Sequence, residues 1–96
     1  MYAQLLMINM GPGMRSTAEK LANQFAPVLR ALKGFKSVTF IGNETVGEYA
    51  SLTIWESRED AEAAAKATAS RLEQALSGIA KEPPTHKLFE VYEPKT

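Results

Sequence analysis

The chain has 96 residues, of which 45% are hydrophobic and 23% are charged, and its 11 basic and 11 acidic side chains give a formal net charge of zero. This composition is that of one folded globular domain rather than a disordered segment, and it lacks the basic excess typical of nucleic-acid binding. The chain contains no cysteine, which excludes disulfides, thiol chemistry and cysteine-ligated metal sites.

The same features predict a cytoplasmic protein. Residues 1–10 have no basic segment ahead of an apolar stretch and a cleavage site, as a signal peptide would. No segment approaches the roughly 20 apolar residues of a membrane span, and small secreted domains often depend on disulfides. We therefore expect a single domain over residues 1–96, with neither a membrane nor a nucleic acid as partner.

The first half of the chain predicts a strand, a turn and a helix. Residues 2–10 are a short apolar run that ends at a Gly-Pro-Gly turn. A helix is expected to begin at Ser16, which has capping-box spacing to Glu19, and to end at Gly34. Pro27 lies inside it and predicts a kink or a split, because proline removes a backbone donor and clashes with the preceding turn.

The second half predicts a hairpin, a second helix capped by Ser57 and a final strand. The predicted strands are residues 35–42, 48–56 and 86–93. The resulting order is βαββαβ, which indicates an α+β protein of the ferredoxin-like type, with both helices on one face of an antiparallel sheet.

Side-chain alternation in the third strand predicts two different faces. We assign the apolar set to the helix side of the sheet: Ala50, Leu52, Ile54 and Phe89. We assign the aromatic, hydroxyl-bearing set to the open face: Tyr49, Ser51, Thr53, Trp55, His86, Leu88 and Tyr92. Such an open face is too apolar to remain in water. We therefore expect a homodimer in which two sheets face each other as a barrel, filled by side chains or enclosing a ligand-sized space.

Three segments resemble the antibiotic biosynthesis monooxygenase family of dimeric α/β barrels. They are Tyr49-Ala50-Ser51-Leu52-Thr53-Ile54-Trp55-Glu56-Ser57, Glu59-Asp60-Ala61-Glu62-Ala63 and Phe89-Glu90-Val91-Tyr92. The resemblance spans nearly the whole chain. It implies the fold and, among the family's activities, cofactor-free oxidation of polyketide phenols and quinols.

The resemblance carries over to individual residues only in part. In some of the oxygenases a tryptophan at the position of Trp55 lines the cavity, with an asparagine where this chain has Ser51. A tyrosine and an arginine on the following helix also serve there, and Ala61 and Ala75 lie near those places. Haem-degrading members have a histidine and a second tryptophan on that helix. The corresponding helix of this chain has neither, so we expect no haem and no other cofactor.

The candidate substrate-binding residues combine an indole, hydroxyls, an imidazole and an amide: Trp55, Tyr49, Ser51, Thr53, Tyr92, His86 and Asn9. Five of the seven have a structural alternative: Trp55 as a core anchor, the two tyrosines as dimer contacts, His86 as an exposed strand residue and Asn9 as a strand-end residue. No catalytic residue is assigned. No metal site is predicted, because His86 has no HxH, HExxH or carboxylate cluster beside it.

Three functions fit these observations. The first is a cofactor-independent monooxygenase acting on a quinol or a polyketide-like aromatic. The second is a non-catalytic small-ligand-binding or stress-response protein with the same fold. The third is a packed barrel that serves only as an oligomerisation unit, its interior filled by Phe40, Trp55, Leu88 and Tyr92.

Overall fold

The computed structural model describes residues 1–94, which form a four-stranded sheet and two helices. The elements in chain order are β1 Tyr2–Asn9, α1 Arg15–Arg30, β2 Phe35–Asn43, β3 Glu48–Trp55, α2 Arg58–Leu76 and β4 Thr85–Glu90. Neither helix is both long and apolar enough to cross a bilayer, within the part of the chain that is described.

The sheet is antiparallel throughout, with the strand order β2-β3-β1-β4. The two central strands, β3 and β1, pair over their whole length, from Tyr2 opposite Trp55 to Asn9 opposite Glu48. This order confirms the α+β, ferredoxin-like βαββαβ fold that the sequence predicts. β2 and β4 are the edge strands, and a register shift lies between Phe35 and Ser37 on β2.

The first helix differs from the expectation at its start. It begins at Arg15 after Met14, and no side chain caps it, so the predicted capping box of Ser16 and Glu19 is wrong. Gly13, with a φ of 78°, turns the chain directly before Met14 and so sets an earlier start. Pro27 lies inside the helix without splitting it, and its ring is exposed.

The second helix begins as predicted. The Ser57 hydroxyl accepts a hydrogen bond from the Asp60 backbone amide at 3.1 Å, which supplies a partner for one of the free amides of the first turn. Glu59 and Asp60 lie in that turn, where negative charge is favourable. The buried side of the helix contains mainly small side chains, with Ala61, Ala64 and two leucines.

The structure reverses the predicted assignment of the two sheet faces. Trp55 is fully buried against Ala61 and Ala64 of α2, whereas Leu52 is 36% and Phe89 is 49% exposed. Alternation separates two faces but does not say which one the helices cover. The helices cover the aromatic, hydroxyl-bearing face, because the alanines of α2 leave space that a large indole fills. The apolar set lies on the open face.

The interior between sheet and helices consists of two clusters. One surrounds Trp55 and includes Phe35, whose ring meets the indole edge-on at 5.7 Å between centroids and 82° between planes. The other surrounds Phe25, with Met10, Leu72 and Leu76. The helix-facing hydroxyl residues of β3 lie between the tryptophan end of the strand and the Phe25 end. This arrangement places them where the packing between sheet and helices is incomplete.

An exposed ion pair joins the start of β2 to the end of β3. Lys36 Nζ lies 2.6 Å from Glu56 Oε2. The hydrogen bond from Lys36, together with its positive charge, lowers the pKa of the Glu56 carboxyl. Both side chains are about half exposed, so this pair closes the strand end and takes no part in the interior of the protein.

Candidate functional site

A cavity of about 410 Å³ lies between the sheet and the two helices of a single chain. This volume falls in the range of small-molecule sites, roughly 300–1,000 Å³. The walls are mostly apolar, and their apolar side chains come mainly from β1, the two helices and β2: Leu6, Ile8, Met10, Ala18, Leu21, Ala22, Phe25, Leu29, Phe40, Ala65 and Leu72. The sequence placed the ligand space between two sheets, but this cavity lies on the helix side.

Polar side chains converge on one wall of the cavity. Tyr49, Ser51 and Thr53 all face it from β3, because residues at intervals of two along a strand lie on the same face of the sheet. Gln4 and His86 reach it from the paired strands β1 and β4. An apolar chamber with hydroxyls on one side is suited to a flat, oxygen-bearing molecule.

The hydroxyl of Tyr49 is buried and has no hydrogen-bond partner among residues 1–94. Such an unpaired buried group costs roughly 1–3 kcal/mol. Gly42 lies opposite Tyr49 on β2, and a Cβ there would collide with the Tyr49 ring. The glycine therefore leaves the space that the ring occupies.

Thr53 is buried at 4% exposure and is fixed by its neighbour Trp55. The indole Nε1 donates to Thr53 Oγ1 at 2.8 Å, and Thr53 Oγ1 lies 3.4 Å from the backbone oxygen of Gln4. The sequence proposed Trp55 as a cavity-lining residue. In the structure its indole lies behind Thr53 and outside the cavity lining.

Gln4 and His86 form a second polar pair. The Gln4 amide nitrogen lies 3.4 Å from His86 Nδ1. An amide nitrogen only donates, so a hydrogen bond at this contact requires Nδ1 to be the acceptor. The ring is exposed, near the Thr85 end of the edge strand β4. The pair is therefore accessible both to the cavity and to solvent.

Two other candidates lie away from the cavity. Tyr92 follows β4 and is 87% exposed. Asn9 has local roles at the end of β1, where its side-chain oxygen accepts from the Gly11 amide at 3.1 Å and its nitrogen donates to Glu82 at 3.3 Å. Four of the seven candidates thus meet at one cavity, namely Tyr49, Ser51, Thr53 and His86.

Sequence reasoning missed Gln4 and the charged side chains Arg15, Glu19 and Glu44 that also line the cavity. Gln4 is the only strongly polar residue between Tyr2 and Ile8 of an otherwise apolar strand, which was the available signal. The charged residues are exposed and carry no such signal. Within residues 1–94, no three histidine or carboxylate side chains are grouped as metal ligands would be.

Comparison with known proteins finds similarity to this chain at the level of three-dimensional structure. No protein-family model and no curated protein matches the sequence. Solved structures do match. A monooxygenase from the gene ActVA-Orf6 of Streptomyces coelicolor, in complex with nanaomycin D, superposes with a TM-score of 0.79, at 19% identity over 99% of this chain and 90% of that one.

Two further structures agree. SnoaB, a cofactor-independent oxygenase from Streptomyces nogalater, gives a TM-score of 0.73 at 16% identity, over 98% of this chain and 94% of its own. An antibiotic biosynthesis monooxygenase gives 0.76 at 12% identity, over 97% and 100%. The chain therefore has the fold of the antibiotic biosynthesis monooxygenases, and the resemblance read from the sequence is confirmed at the level of fold.

Proposed function

We propose that the chain is a cofactor-independent monooxygenase that oxidises a quinol or polyketide-like aromatic bound between its sheet and helices. The observation that carries the proposal is the cavity of about 410 Å³, with apolar walls and an unpartnered buried Tyr49 hydroxyl. Two structures of the same fold are oxygenases by name, and one of them holds an organic ligand, which supports the choice of chemistry.

The proposed chemistry requires little from the protein. An ionised phenol or quinol supplies the electrons to O₂ itself. One oxygen atom bonds to a ring carbon and becomes a carbonyl as that carbon loses its hydrogen, and the other oxygen atom leaves as water with that proton and the proton released from the phenol. The protein must exclude water, hold the ring and stabilise the anion with hydrogen-bond donors. Tyr49 and Thr53 provide hydroxyl donors, and the cavity walls provide the apolar surroundings.

Filling the cavity should abolish ligand binding. Ala65 faces the cavity from α2, so Ala65→Phe places a ring in the ligand's space. We expect the dissociation constant for hydroxynaphthoquinones to rise at least tenfold, because the ligand must displace that ring. Quenching of Trp55 fluorescence measures binding, and the signal has a single origin because the chain has one tryptophan.

The matched control is Ala67→Phe, two residues further along α2 on an exposed position. It adds the same ring without entering the cavity and should bind as the unmodified protein does. Equal binding by both variants would contradict the cavity as the site. Oxygen consumption with quinols, present in the unmodified protein and lost in Ala65→Phe, tests turnover.

Ligand binding without turnover is the second candidate function. The positions at which the resemblance implies catalytic side chains hold Ser51, Ala61 and Ala75, and Ala61 is buried beside Trp55, away from the cavity. Saturable binding with no oxygen consumption across a quinol panel would favour this function over the oxygenase.

The open face of the sheet supports a homodimer as part of the proposal. Large apolar side chains are exposed across it on all four strands: Met7, Ile41, Leu52 and Phe89. They are neighbours on one surface, since Leu5 pairs with Leu52 and Ala3 with Phe89. A second copy of this surface would remove the whole patch from water.

A charge at the centre of that face should separate the two copies. We expect Leu52→Lys to be monomeric at micromolar concentration by light scattering, because burying an unpaired ammonium costs several kcal/mol. The control Ala69→Lys adds the same charge on an exposed position of α2 and should leave the dimer intact. A monomeric unmodified protein would contradict this part of the proposal.

A further inference from the structure

We infer that Thr53 is the hydrogen-bond donor that holds the ionised oxygen of the aromatic ligand, and that Trp55 is a positioning residue that directs the Thr53 hydroxyl hydrogen. The inference rests on the proposed function for the presence of an aromatic ligand. It deepens that function by naming the group that selects the anionic form of the ligand. The presence of three hydroxyls on β3 does not by itself identify that group.

One lone pair of the Thr53 hydroxyl oxygen is already occupied. A hydroxyl has one hydrogen to donate and two lone pairs that accept. Trp55 Nε1, which is a donor only, occupies one lone pair at 2.8 Å. The hydroxyl hydrogen cannot point towards the indole and must be directed elsewhere. Trp55 is fully buried against α2 and Phe35, so this constraint is rigid.

The Thr53 hydroxyl hydrogen has only a distant acceptor within the described chain. The acceptor available within the described chain is the backbone oxygen of Gln4 at 3.4 Å, which is longer than the 2.5–3.0 Å of a good O–H···O bond. An oxygen atom in the cavity at normal distance would be a better partner. Exchanging the long contact for a bond to an anion is favourable, because charge-assisted hydrogen bonds are shorter and roughly twice as strong.

Thr53 differs from the other hydroxyl-bearing residues that line the cavity. Thr68 donates to the Ala64 carbonyl at 2.9 Å, so its hydrogen is already used. Tyr49 is unpartnered, Ser51 is only half-buried, and no hydrogen bond among residues 1–94 orients either hydroxyl. Thr53 alone combines an occupied lone pair, 4% exposure and a weakly held hydrogen. At low dielectric the hydrogen bond from such a donor is strengthened, and it stabilises the anion against the opposing effect of desolvation.

The experiment measures the pKa of a bound probe. 5-Hydroxy-1,4-naphthoquinone changes its visible absorption on ionisation, and the chain has no cysteine thiol to react with it. Its pKa is read from absorbance titrations with saturating protein. We expect the probe pKa to be about one unit lower with the unmodified protein than with Thr53→Val, which keeps the shape but removes the hydroxyl that donates to the anion.

Two more variants test the positioning role. Trp55→Phe keeps a ring against Phe35 but removes the Nε1 donor, and it should raise the probe pKa in the same direction by a smaller amount. In the Thr53→Val background, Trp55→Phe should not change the probe pKa further, because the hydroxyl through which Trp55 acts is absent. Thr53→Ser keeps the hydroxyl and should retain most of the lowering. These two variants carry the test if Thr53→Val does not fold.

The outcomes separate this inference from the proposed function. A probe that does not bind the unmodified protein overturns the aromatic site and the inference with it. A probe that binds with an unchanged pKa in Thr53→Val overturns only the donor role. A lower pKa in that variant would show that Thr53 accepts from the ligand instead. Equal effects of Trp55→Phe in both backgrounds would overturn the positioning role of Trp55.

Discussion

Replacing Trp55 by alanine should lower the free energy of unfolding by about 3–5 kcal/mol, the range for large aromatic side chains removed from a core. Trp55 is the largest fully buried side chain, and Ala61 and Ala64 of α2 are too small to close the space it leaves. Total stability for a domain of this size is about 5–15 kcal/mol, so the loss is a large share. Urea denaturation followed by circular dichroism measures it.

Trp55→Phe is the control for this prediction. It keeps an aromatic ring opposite Phe35 and loses one hydrogen bond, so it should cost about 1–2 kcal/mol. All variants are compared at one protein concentration, because association with a second copy would make stability concentration-dependent. A loss below about 1 kcal/mol for Trp55→Ala would contradict the position of the indole in the core.

Gly47→Ala should destabilise the fold by more than about 3 kcal/mol, through a strained backbone and a collision at once. Gly47 has a φ of 77°, which residues with a Cβ rarely adopt, and a Cβ added at this position would overlap the backbone of Gly11. The Met10 amide also donates to the Gly47 carbonyl at 2.8 Å. The β2–β3 hairpin therefore rests directly on the loop before α1.

Gly13→Ala separates the two causes. Gly13 has a nearly identical φ of 78°, and a Cβ there meets no atom within 4 Å. It should cost only the backbone term, about 1–2 kcal/mol. The difference between the two variants in thermal or urea unfolding measures the close approach of the two loops. Equal losses would show that this approach contributes nothing to stability.

The sequence predicted the order of elements well and the facing of the sheet badly, and the reasons are physical. Element order follows from local signals, such as the Ser57 cap and the turn glycines. Facing depends on what covers each side. The apolar set of β3 looked like core, yet Leu52 lies on the surface. The informative signal was the alanine-rich side of α2, which requires a large side chain such as Trp55 opposite it.

The candidate site was predictable to the same degree. Alternation on β3 grouped Tyr49, Ser51 and Thr53 correctly as neighbours, because that grouping depends only on a period of two. The hydrogen bond from Trp55 to Thr53 also joins residues at that spacing. The cavity itself could not be predicted, since it results from the unfilled distance between α1, α2 and the sheet.

The alternation of β3 has a consequence for how such a protein can change over evolutionary time. Tyr49, Ser51 and Thr53 face the cavity, while Leu52 and Ile54, at alternate positions of the same strand, face outward. Mutations at the first set alter the chamber and leave the outer surface unchanged, and mutations at the second set do the reverse. The shape of the cavity and the outer surface of the sheet are thus encoded in the same strand as two interleaved, independently adjustable traits.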